Sequence, residues 1–258
     1  MPPSNKKNDK FSFIMTTDQL TNLLRKIKDL VAIDPRIIMK IYNSSVLLFS
    51  FVGESFKNIH AFKNYIFDKE EIMNISTKIE EPFVFITKDG KKLYRILENL
   101  IDYKNDIHGE ISINDENYVN LIIFDNENLN IKVIGTDSIV IGKEINIEDI
   151  NYLMNIENSL FNFDISGIQF AKIKKMGLVD NELNSVLYIN INNKKLSIGE
   201  TKWQLTLCDI EYEDVVLAFP KKYFNTINPS DIKVYVFESF ILCKYNEYNL
   251  MILMETTI

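Results

Sequence analysis

One pattern recurs four times along the chain: a run of alternating apolar and polar residues, an amphipathic helical stretch, then about three more alternating runs. Alternation sends successive side chains to opposite faces of a strand, whereas apolar residues at i, i+3, i+4 and i+7 line one face of a helix. The first copy opens with the strand FSFIM (11–15) and continues through 16–33, where Leu20, Leu23, Leu24, Ile27 and Val31 form a stripe behind a Thr17/Asp18 start. Strands at 36–42, 46–52 and 58–67 complete it.

The second copy begins with PFVFIT (82–87) and a helix opening at Asp89, with Leu93, Ile96, Leu97, Leu100 and Ile101 as its stripe. IHGEISI, YVNLIIF and LNIKVIG follow as strands. The third runs LFNFDI (160–165), the helical segment SGIQFAKIKKMG (166–177), then NSVLYINI, KLSIG and WQLTLCDI. The fourth runs DVVLAF (214–219), a short helix over 220–227 with Pro at its first position, then IKVYVFE, FILCKY and YNLMILME. Between copies two and three, 136–159 lacks a long helix and reads as a connector.

The pattern predicts an α+β chain of two similar domains, each of two strand-helix-three-strand units. The expected boundaries are a disordered tail at 1–10, a first domain at 11–137, a connector at 138–158 and a second domain at 159–258. A single unit cannot bury both faces of its helix, so paired units are expected to set two helices on one sheet and leave the outer helix faces bare. Turns such as YNSS, NDEN, DNEN, INNKK and YNEY use Asn, which tolerates the left-handed backbone of tight hairpins. This explains how eight glycines suffice.

Catalytic motifs are missing from the sequence. His60 and His108 are its only histidines, and neither stands in an H-E-x-x-H or G-x-S-x-G context. No glycine-rich phosphate loop is present, and no cofactor or metal is expected. Cys208 and Cys243 read as buried free thiols. There is no apolar run of about 18 residues and no signal-peptide h-region, so the expectation is a soluble intracellular protein that is not an enzyme.

Charge is sorted by element. The chain holds 29 Lys and Arg against 36 Asp and Glu, for a net −7. Over 18–33, 89–102, 166–177 and 220–227 there are eleven basic and five acidic residues, leaving 18 basic against 31 acidic elsewhere. Cationic helices on an anionic body point to a polyanion held at the helices, and fixed Lys and Arg that neutralise phosphates bind duplex DNA without reading its sequence. Lys91, Lys92, Lys221 and Lys222 even oppose the helix dipole. No aromatic stacking platform accompanies these positions, which argues against a single-strand binder.

Four strand-helix-sheet units, a mid-chain connector and basic helices on an acidic body resemble the DNA sliding clamp family, which includes proliferating cell nuclear antigen and the shorter clamps of T-even-type bacteriophages. The likeness is strongest over 160–258, in GIQFAKIKKMGLV, NSVLYININNKKLSIGETKWQLTL and YNLMILME, and is nearest to the phage clamps. It implies a head-to-tail homotrimeric ring with antiparallel sheets outside and helices inside. Duplex DNA threads such a ring while it tethers the replicative polymerase after placement by a clamp loader, here in the cytoplasm of an infected bacterial cell. Two-domain clamps of this length close as trimers, and the longer three-domain ones close as dimers.

Carried over by position, the resemblance makes Arg25, Lys26, Lys28, Lys91, Lys92, Arg95, Lys172, Lys174, Lys175, Lys221 and Lys222 the DNA-facing residues, with Glu98 and Asp102 departing from a uniformly basic lining. It places the pocket for a partner's apolar peptide at Ile145, Ile147, Ile150, Tyr152 and Leu153, with Leu250 and Met251. The competing readings are a non-enzymatic β-rich structural or interaction protein of a viral or cellular assembly, and a clamp-fold accessory factor of transcription.

Overall fold

A computed structural model describes residues 9–54, 59–101, 106–126, 129–136, 145–177, 185–245 and 247–254. The 1–8 part of the expected tail, the DNEN turn at 127–128, residue 246 of YNEY, Asp102 and the connector residues 138–144 lie outside them. The chain forms two compact units, one of 1–51 and 64–150 and the other of 52–63 and 151–258.

In chain order the elements are β1 (Lys10–Met15), α1 (Thr17–Val31), β2 (Ile37–Ile41), β3 (Ser45–Gly53), β4 (Ile59–Asp68), β5 (Asn74–Ile75), β6 (Phe83–Thr87), α2 (Gly90–Glu98), β7 (Ile107–Ile113), β8 (Val119–Asn126) and β9 (Leu129–Ile134). A two-turn helix α3 (Ile147–Leu153) follows in the stretch read as connector. Then come β10 (Phe161–Ile165), α4 (Gly167–Gly177), β11 (Val186–Asn192), β12 (Lys195–Glu200), β13 (Trp203–Asp209), β14 (Val215–Pro220), α5 (Lys221–Phe224), β15 (Ile232–Val236), β16 (Phe240–Tyr245) and β17 (Tyr248–Leu253).

The sheets depart from the expectation of one sheet per pair of units. β1 pairs antiparallel with β7, Phe11 opposite Ile111, while β6 pairs antiparallel with β2, Ile38 opposite Ile86. The opening strand of each copy therefore completes the sheet of the other. The first unit consequently holds two strand sequences, β5-β1-β7-β8-β9 and β6-β2-β3-β4. The second unit repeats the exchange, β10 on β15 and β14 on β11, giving β13-β12-β11-β14 and β10-β15-β16-β17.

Helix starts are set by side chains. Thr16 Oγ1 accepts from Gln19 N–H at 3.2 Å while Gln19 Oε1 accepts from Thr16 N–H at 2.8 Å, a reciprocal cap that starts α1 one residue before the Thr17/Asp18 reading. Ser166 and Gln169 make the same pair ahead of α4, at 3.3 and 2.9 Å. Asp89 caps α2 by accepting from Lys92 N–H at 2.9 Å, which offsets lysines in a first turn that has no acid. Gly90 lets α2 start hard against α1, because a Cβ there would stand 2.5 Å from Ile37 Cγ1 and 2.7 Å from Val31 Cγ2. In the hairpins, Asn117 (φ 63°) and Asn193 (φ 50°) take the left-handed backbone, and so does Lys194 (φ 62°).

The core of the second unit shows how its two helices are joined. Phe170 of α4 meets Phe224 of α5 with ring centroids 5.0 Å apart, and Phe219 packs on Phe224 at 5.6 Å. Two lysines brace the pair reciprocally. Lys174 on α4 donates to Ile227 O beyond α5 at 2.8 Å, and Lys221 on α5 donates to Gly177 O, the last residue of α4. Lys221 thus sits on the carbonyl end of α4, where the dipole favours a cation, and Lys174 ties α4 to the chain that follows α5. Lys221 also meets Glu200 at 2.6 Å, both side chains nearly out of solvent. Removing one member of a buried pair strands the other, so Lys221→Met is expected to lower the unfolding free energy by about 3–5 kcal/mol. Adding Glu200→Leu to that variant should recover part of the loss in urea titrations. A loss under about 1 kcal/mol would contradict the brace.

Candidate nucleic-acid interface

The helices divide their cations between solvent and core. On α1, Arg25 and Lys28 are exposed, Arg25 donating to Asn22 Oδ1 at 3.0 Å and Lys28 standing 5.9 Å from the Tyr94 ring. On α2, Lys91, Lys92 and Arg95 are exposed. On α4, Lys172 and Lys175 are exposed, as is Lys222 on α5. In each unit the apolar stripes hold the opposite helix faces: Leu20, Leu23, Leu24, Ile27, Leu93 and Leu97 are buried in the first, and Phe170 and Ile173 in the second.

Three of the eleven expected contacts are corrected. Lys26 is 1% exposed, its ammonium 5.0 Å from the Tyr65 ring centroid and 4.9 Å from that of Phe67, so β4 covers it. Lys221 is buried in the brace above. Lys174 is half-buried on Ile227 O, and burial pushes its pKa down. Lys26 and Lys174 have long apolar stems beside the helix stripe, and aromatic rings or a free carbonyl nearby give their ammonium groups an inward position. Glu98, which interrupts the basic face of α2, accepts a 2.9 Å hydrogen bond from Tyr94 Oη, and that bond raises the Tyr94 pKa. Tyr94 is thus an aromatic ring on this face that the sequence reading overlooked.

The expected peptide pocket is mostly core. Ile145, Ile150 and Leu250 are fully buried and Met251 nearly so, while Leu253, on the same face of β17 as Met251, is exposed. Ile147 and Leu153 are half-buried. Tyr152 is the outward member, 79% exposed. Ile156 and Leu160, not singled out in the sequence, are exposed a few residues on.

Two further surfaces have no local cover. β9 is the outermost strand of its sheet in the first unit, with Leu129 and Ile131 half-covered and Ile134 77% exposed. A groove between β9 and α2 is lined by Thr87, Lys92, Ile96, Lys132 and Ile134. In the second unit β13 is outermost, its inner residues Trp203, Leu205 and Leu207 half-covered, and Ile168 on α4 is 75% exposed. Asp209, Glu211 and Glu213, at and after the end of β13, are exposed.

Of the two free cysteines, Cys243 is buried, which pushes its pKa up to about 12, whereas Cys208 is exposed on β13, contrary to the expectation of two buried thiols. Alternation along β13 explains the difference, since Cys208 shares the exposed face with Gln204 and Thr206. Among the described residues no helix is long and apolar enough to cross a membrane, and no group of three or more His, Cys, Asp or Glu could hold a metal ion.

No family model matches the chain, and no curated protein matches it. Solved structures do. The chain is similar to DNA polymerase III subunit beta of Borrelia burgdorferi, in complex with a natural product, at TM-score 0.64 and 18% identity over 95% of this chain and 65% of that one. It is similar to DNA polymerase III subunit beta of Pseudomonas aeruginosa at TM-score 0.64 and 10% identity, covering 96% and 65%. The Helicobacter pylori beta clamp bound to a DNA ligase peptide matches at TM-score 0.64 and 10% identity, covering 97% and 67%. The chain therefore spans about two thirds of the length of these proteins. Likeness at this identity carries fold and nothing finer, and the fold of the chain is that of the DNA sliding clamps.

Proposed function

We propose that this chain is a polymerase processivity clamp, three copies of which close head to tail around duplex DNA with their helices inside. The observation that carries the reading is the set of eight exposed cations, Arg25, Lys28, Lys91, Lys92, Arg95, Lys172, Lys175 and Lys222, on the helices of a sliding-clamp fold whose net charge is −7. Phosphate neutralisation by such residues holds DNA of any sequence, and the anionic remainder of the surface repels it elsewhere. No step of catalysis is needed, since the work is tethering.

Two units per chain favour three copies for a ring of six units. The junction we favour joins the edge β9 of one copy to the edge β13 of the next. Both edges leave inner apolar residues half-covered, and lysines beside one would meet carboxylates beside the other. Ile134 and Ile168 would be covered there. A partner segment from a polymerase or loader would dock at Tyr152, the exposed aromatic residue of α3, with Ile156 and Leu160 nearby in sequence. The likeness of the sequence to the phage clamps favours phage replication inside a bacterium as the setting.

Light scattering is expected to return three times the chain mass of 30.1 kDa, and a mass that stays at one chain at every concentration would remove the ring in favour of an interaction protein. Reversing Lys172 and Lys175 to Glu should weaken duplex binding and flatten its logarithmic salt dependence by about 2, roughly one unit per phosphate contact. Lys78→Glu, on an exposed loop, should leave that slope unchanged. Equal slopes for the double reversal and the unaltered protein in anisotropy titrations would contradict the lining.

A further inference from the structure

Helix α3 has only seven residues, and a helix so short is marginal in water by itself. Beside the buried Ile145, Ile150 and Met154, lysines meet the chain at both ends of the helix. On β2, Lys40 is 4% exposed, and its Nζ donates to Asn146 Oδ1 at 2.6 Å and to Ile145 O at 3.2 Å. Asn146 is the start of the helix: its N–H donates to Asp149 Oδ2 at 2.9 Å, and its carbonyl accepts from Ile150 N–H at 3.1 Å. On β16, half-buried Lys244 donates to Met154 O at 3.3 Å, one residue past the helix. Each tie lies within one unit, Lys40 with 145–146 in the first and Lys244 with Met154 in the second.

Both lysines are drawn out of water. Burial pushes the pKa of each down, with Asp149 and then Glu148 pulling that of Lys40 back up. An ammonium group removed from water needs an oxygen partner, so each tie has two arrangements: closed on its carbonyl, or open with the cation in solvent and the chain end released. Between the ties the buried members of the segment are Ile150 and, just outside the helix, Ile145 and Met154, while Tyr152 faces out.

We propose that Lys40 and Lys244 are positioning residues that fasten α3 as a strap and thereby set where Tyr152 stands. The consequence for partner docking rests on the reading of Tyr152 above, but the strap itself does not. Hydrogen exchange of the full chain, without partner, tests it. Lys40→Met should speed exchange of the Ile150 to Met154 amides at least tenfold while leaving β7 and β8 unchanged. Lys244→Met should do so less, its contact being longer and more exposed. Asn146→Leu, which removes the shorter acceptor and keeps the lysine, should reproduce the Lys40→Met effect and covers the case in which that variant does not fold.

Unchanged α3 exchange in Lys40→Met or, if it cannot be made, in Asn146→Leu would overturn the strap, as would acceleration spread evenly over the first unit. If α3 loosens yet polymerase stimulation by the variant equals that of the unaltered chain, the strap stands and docking at Tyr152 falls.

Discussion

The exchange of opening strands between neighbouring copies is the constraint from which the rest of the architecture follows. Backbone N–H and C=O groups left unpaired cannot be buried cheaply, and β1, β6, β10 and β14 find their long ladders on β7, β2, β15 and β11 of the companion copy, the two-residue β5 adding only a short second partner to β1. A copy by itself would lack a strand at one place and carry an unpaired one at another, so copies occur in pairs. The segment after each opening strand must then return to its own copy's strands, and α1, α2 and α4 occupy those returns with one apolar face buried and one bare. α5 reduces the same return to a single turn, held to α4 by rings and lysines.

With the bare faces set by topology, lysine chemistry decides what they present. The long stem of lysine allows its charge to go either way, and here it goes both ways. Lys26, Lys40, Lys174, Lys221 and Lys244 turn toward carbonyls, carboxylates or rings and serve as internal fasteners. Lys28, Lys91, Lys92, Lys172, Lys175 and Lys222 remain exposed on the helices. The same residue type thus stiffens the scaffold and supplies the field that would hold a phosphate backbone.

The strands were legible because period-2 alternation survives wherever one face is buried, and the four-fold repeat gave their order. Helix starts are less so: the Thr16/Gln19 and Ser166/Gln169 caps do carry a T-x-x-Q and S-x-x-Q signature, but one short enough to recur by chance. Burial of Lys26 and Lys221 had no local signal, since their covers, Tyr65 and Glu200, come from other strands. Leu250 and Met251 fail as pocket candidates because cover runs over both faces at 250–252 and lifts only at Leu253, which an uninterrupted apolar run does not reveal. Ile134 looks like a core residue in a sequence, and its exposure emerges only when β9 turns out to be a sheet edge.

A protein that encircles DNA is held by topology and one that merely touches DNA is held by charge, and salt separates the two. The direct measurement loads the protein onto linear duplex at low salt, closes the DNA into a circle, raises the salt until direct Lys and Arg contacts no longer hold, and follows bound protein before and after a single cut. Retention on the intact circle and loss on cutting are expected of an encircling protein. Equal release from circular and linear DNA at that salt would contradict encirclement.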